Sequence, residues 1–138
     1  MKRMLIGLLA ALLTLPALAE RKHSVGEYDI HYIAFNSGFL QPDIAAAAGL
    51  VRSKTQGVIN VAALKAGKAS TAQVSGQVKN LMGQSTALTF RQVTESGAIY
   101  YLAQFPFSSR EILSFTLDVR QGDDAHRITF NQEMFPDD

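Results

Sequence analysis

The sequence predicts an all-β fold: a two-sheet, immunoglobulin-like β-sandwich of about seven antiparallel strands, with one short helix after the first strand. Three observations predict it. Apolar and polar residues alternate with period two through most of residues 27–134, and turn residues punctuate that alternation at short intervals. A single alanine-rich stretch departs from it.

Residues 27–35 (EYDIHYIAF) place Tyr28, Ile30 and Tyr32 on one face and Asp29, His31 and Ile33 on the other. The exception follows. Residues 42–49 bring a proline near a helix start, an acidic first turn, four alanines and a terminating glycine, which predicts a helix of about two turns. Phe39 and Leu40 precede it and are expected to pin it to the sandwich. Residues 57–64 (GVINVAAL) are β-branched and apolar on both faces, as suits a strand covered on both sides. Residues 70–82 alternate cleanly, with Val74, Gly76 and Val78 against Gln73, Ser75 and Gln77, and Gly83-Gln84 reads as the hairpin turn after them.

Residues 86–94 then read as one strand with Leu88 and Phe90 in phase, and Glu95-Ser96-Gly97 as the next turn. Residues 98–105 (AIYYLAQF) form an aromatic-rich strand that Pro106 ends. Residues 111–121 put Leu113, Phe115, Leu117 and Val119 on one face. Gly122-Asp123-Asp124 is a strong turn signal, and residues 126–134 close the domain with Ile128 and Phe130 inward. The last four strands are expected in consecutive hairpin order.

The N-terminal nineteen residues read as a cleaved signal peptide. Lys2 and Arg3 give a positive start, the apolar run from Met4 to Leu15 follows, Pro16 breaks it, and Ala17-Leu18-Ala19 supplies a small-x-small cleavage site. That run is shorter than the roughly 20 residues a membrane span needs. Residues 20–25 are polar and are expected to be a flexible lead-in, leaving 26–138 as a single domain. With no cysteine, neither a lipid anchor nor a disulfide is available. The net charge is +1, or −1 without Lys2 and Arg3, which gives nucleic acid or an anionic membrane no bulk attraction. A periplasmic, soluble product with no stable membrane insertion is expected.

No catalytic constellation stands out. Ser53, Ser75 and Ser114 lack a G-x-S-x-G context, and a triad would need His23, His31 or His126 brought to a serine and an acid by folding. His31 reads as a hydrogen-bonded strand residue, His23 as part of the lead-in and His126 as a solvated turn residue. No H-x-x-H, H-E-x-x-H or cysteine motif is present, so neither metal nor cofactor is expected. The acidic residues are scattered, and there is no glycine-rich phosphate loop.

The most distinctive stretch is 34–60, with the compact triplet Arg52-Ser53-Lys54. Arg52 could pair with a carboxylate of a partner protein, or it could serve internally, capping the helix C-terminus or pairing with Asp43. Asn60 is polar in an otherwise apolar strand and, if buried, is expected to be held by a hydrogen bond.

Taken together, His31-Tyr32-x-Ala34-Phe35, Leu40-x-Pro42 with Ile44-Ala45, Arg52-Ser53-Lys54 and Gly57-x-x-Asn60 resemble the small exported proteins of the domain of unknown function 4426 family. The likeness extends more weakly over the rest of the chain, and Ala46-Ala47-Ala48 stand where a bulkier residue is expected. The resemblance implies a periplasmic β-sandwich of Gram-negative bacteria and brings no activity with it. The resulting expectation is a non-enzymatic binding or accessory module of the cell envelope. Arg52, Ser53 and Lys54 are its partner-binding candidates, and His31, Tyr32, Pro42 and Asn60 its structural motif. The alternative is a small-molecule binder using an aromatic pocket built from Tyr28, Tyr32, Tyr100, Tyr101 and Phe105.

Overall fold

The computed structural model describes residues 20–136, so the signal-peptide reading of 1–19 lies outside the described residues. Two antiparallel sheets form a sandwich, as expected, but with ten strands rather than about seven. The large sheet runs β1 (Arg21–Val25), β2 (Tyr28–Asn36), β3 (Gln56–Lys65), β8 (Ala98–Pro106), β7 (Arg91–Glu95), with short β4 (Lys68–Ala69) also on β3. The small sheet runs β10 (Asp124–Met134), β9 (Glu111–Gln121), β5 (Gln73–Lys79), β6 (Ser85–Leu88).

The extra strands each have a physical cause. Residues 21–25 are no flexible lead-in: they form β1, paired to β2 from Arg21↔Tyr32 to Val25↔Tyr28. Gly26 turns the chain at φ 59°, in the first place of a two-residue hairpin loop. An edge strand exposed everywhere but at half-buried His23 has no apolar alternation to betray it. The expected strand over 86–94 is two, because the chain changes sheets at Thr89-Phe90 between β6 and β7. It also crosses between β4 and β5, so the strand expected over 70–82 shortens to 73–79. The hairpin order also fails: β8 lies in the large sheet and β9 in the small one, so only β7–β8 and β9–β10 are hairpins among the last four. Alternation persists through such corners, which is why the sequence hides them.

The core lies between the sheets. Phe115 stacks on Phe130 with centroids 4.8 Å apart, Phe105 meets Phe115 edge-on at 5.1 Å, and Tyr32 leans on Phe130 at 4.9 Å. Gly57 is required here: a Cβ would run into the Phe105 ring. Beside β2, three side chains bind the sheets together. Gln132 donates to the Ala34 carbonyl at 2.6 Å, Asn36 to Phe135 at 2.6 Å and Arg21 to Asn131 at 3.3 Å.

The helix, α1 (Pro42–Ala48), covers the outer face of the large sheet. Leu40, Ala45 and Ala48 bury against Val58, Val93 and Leu102. Thus β3 is covered on both sides, as its composition requires. Gly49 ends α1 in the left-handed region at φ 69°, with its N–H on Ala46 and the N–H of Leu50 on Ala45. Of the two residues expected to pin the helix, Leu40 is buried and Phe39 is exposed.

Candidate functional site

The loop 49–55 leaves α1 and returns to β3 across the outer face. Each of its turns is tied down. Gln104 on β8 accepts a hydrogen bond from the Val51 N–H at 3.3 Å and donates to the Val51 carbonyl. The buried Ser37 hydroxyl donates to the Ser53 carbonyl and accepts from the Ser53 N–H, both at 2.8 Å. Arg52 donates to the Gly38 carbonyl at 3.0 Å. Ser53 is therefore held by its backbone, while its hydroxyl meets that of Thr55 at 3.3 Å. Arg52 takes neither of its expected internal roles, because its reach is to the 3-10 turn Ser37–Phe39.

Apart from Arg52, which does both, the side chains the loop presents are not those that hold it. Val51 is 62 % exposed and Phe39 47 %, and Arg52 and Lys54 are exposed beside them. Arg91 lies over the start of the loop, where a Cβ on Gly49 would stand 2.9 Å from its guanidinium nitrogen. Among the described residues, none of Arg52, Lys54 and Arg91 forms an ion pair with a carboxylate. The surface is cationic with an apolar centre.

The motif residues divide between the two faces. Tyr32 is in the core, while His31 and Asn60 lie on the outer face of the large sheet. His31 Nδ1 meets Glu20 Oε1 at 3.0 Å, as a hydrogen-bonded strand histidine should. Pro42 opens α1 at its first turn. Asn60 has no clamp: its Oδ1 is buried without a hydrogen-bond partner.

The expected aromatic pocket does not assemble. Tyr32, Tyr101 and Phe105 are core residues, the Tyr101 hydroxyl accepting from the Ala72 N–H at 2.8 Å. Tyr100 belongs to the cluster under α1. Tyr28 sits at the β1–β10 corner of the sandwich.

That corner is the region the sequence reading missed. His126 is a buried residue of β10, not a solvated turn residue, and is 8 % exposed. His23 from β1 stands against it with ring centroids 6.0 Å apart, and Tyr28 from β2 packs at 5.4 Å. Asp124 hydrogen-bonds the Tyr28 hydroxyl and, with burial and the charge of Glu27, raises its pKa above that of an ordinary phenol. Gln121, 3 % exposed, is paired with Asp124 across the β9–β10 ladder and so lies diagonal to His126 on the same face. Parity held the signal: His126 is in phase with Ile128 and Phe130, and Gln121 with Val119.

No curated protein matches the chain. Among solved structures, a DUF4426 family protein from Pseudomonas aeruginosa is 52 % identical with a TM-score of 0.82, the match covering 86 % of this chain and 97 % of that one. Uropathogenic Escherichia coli FetP, recombinantly expressed in the periplasm, shares the fold at 11 % identity and a TM-score of 0.66, over 88 % of this chain and 97 % of its own. A copper-bound variant of FetP gives 12 % and 0.64, over 84 % and 95 %. The family model for domain of unknown function DUF4426 matches residues 22–137, and the chain belongs to that family.

Proposed function

We propose that the protein is a non-enzymatic binding module of the cell envelope, exported to the periplasm, that docks a partner protein through the loop 49–55. The partner surface is acidic and partly apolar, to match Arg52, Lys54 and Arg91 around Val51. One observation carries the reading: Val51 is 62 % exposed although both of its backbone groups are held by Gln104. An apolar side chain presented to solvent on a backbone fixed in advance loses little entropy on binding, which favours recognition. The signal-peptide pattern of residues 1–19 supports export, and expression of the fold neighbour FetP in the periplasm is consistent with it.

A photo-reactive amino acid placed at Val51 tests this in living cells. A discrete adduct to an envelope protein at Val51, with none at Thr94 on β7, is the expected result. Equal labelling at both positions, or none at Val51, contradicts it.

A further inference from the structure

We propose that His23 and His126 form a two-imidazole site for a first-row transition-metal ion, with Cu(II) the preferred occupant. The corner where they meet is assembled from both sheets, β1 at the edge of the large one and β10 at the edge of the small one.

Hydrogen-bonding demand is unmet at this corner. His126 Nε2 and both amide atoms of Gln121 are buried with no partner, and they are diagonal neighbours on one face. Buried polar atoms are nearly always bonded, so three in one place call for a ligand. The distance fits one. With a metal–nitrogen bond of about 2.0–2.1 Å to each ring, two imidazoles sharing an ion have centroids about 6 Å apart at a wide angle. His23 and His126 stand at 6.0 Å with their planes inclined by 67°. Asp124 brings a carboxylate to the corner at the Tyr28 hydroxyl, whereas Glu27 is paired with Lys65 at 3.7 Å.

Donor chemistry selects the ion. There is no thiolate, and among the described residues no group of three or more histidine or acidic side chains converges, so a closed tetrahedral zinc centre is not on offer. Two imidazole nitrogens, with the Gln121 side-chain amide on the same face as His126, suit a borderline ion that keeps solvent in its other positions. Affinity at a given nitrogen site peaks at copper.

The test is a titration with copper(II) chloride alone, read by pulsed electron paramagnetic resonance, which counts coordinated imidazoles. Two imidazoles are expected in the unmodified protein. His23→Gln should leave one and weaken binding at least tenfold, while His31→Gln should change nothing. His126→Gln should also leave one imidazole; should it fail to fold by circular dichroism, His23→Gln decides alone because His23 is only half-buried. Fewer than two imidazoles in the unmodified protein, or a two-imidazole signal that survives His23→Gln, overturns the proposal.

Discussion

Gln104 holds Val51 by both of its backbone groups, its Oε1 accepting from the N–H and its Nε2 donating to the carbonyl. A single side chain on a central strand thus does for the loop 49–55 what a neighbouring strand would do in a sheet. With the Ser37–Ser53 clasp, it fixes the loop without using the side chains that face solvent.

Gln104→Ala should therefore loosen the loop and leave the sandwich intact. Two lost hydrogen bonds correspond to about 1–2 kcal/mol of stability. Amide hydrogen exchange should quicken at Val51 and stay slow at Val61 in the core. Uniform quickening would show that the clamp supports the whole fold instead.

Gly57→Ala should be far more damaging than its size suggests. The added methyl meets the Phe105 ring between two packed sheets, an overpacking expected to cost about 1–3 kcal/mol or more. Thermal unfolding measures it, and an unchanged midpoint would mean that Phe105 moves aside freely.

Phe115→Ala removes the ring that touches both Phe105 and Phe130. A loss of about 3–5 kcal/mol is expected from chemical denaturation, the range for a buried phenylalanine. A smaller loss would show that the two remaining rings collapse into the space.

Tyr28 gives a pH signature. Its hydrogen bond to Asp124 favours the protonated phenol, so its pKa lies higher folded than unfolded. The stabilisation is complete below the unfolded value of about 10 and is lost as pH rises through the folded one. Asp124→Asn should bring the tyrosine titration, followed by ultraviolet difference spectra, to lower pH. No change would place the cause of the shift elsewhere.

Much of the sandwich was legible because half-buried strands must alternate. The apolar faces of β2, β5, β9 and β10 appear in the sequence, and so does α1, whose Pro42 and Gly49 mark its ends. What stayed hidden depends on partners distant in the chain. β1 has no apolar face to show, and the corner at Thr89-Phe90 leaves the period unbroken. In the site, Arg52 and Lys54 were visible as charges. That the Ser53 backbone is clasped depends on Ser37, sixteen positions earlier. His126 was legible in principle, since its phase with Ile128 and Phe130 points it inward, but its proximity to Asp123 and Asp124 suggested a turn. Its meeting with His23 required knowing that β1 exists and overhangs β10.

The most direct test of the binding-module reading is cross-linked capture from periplasmic extract by the protein and by a Val51→Asp, Lys54→Glu variant. Neither side chain makes a hydrogen bond or ion pair within the described residues, so the variant should unfold at the same temperature as the parent. One acidic envelope protein, captured by the parent and lost from the variant, is the expected result. Equal capture by both would contradict it and move the docking surface away from the loop.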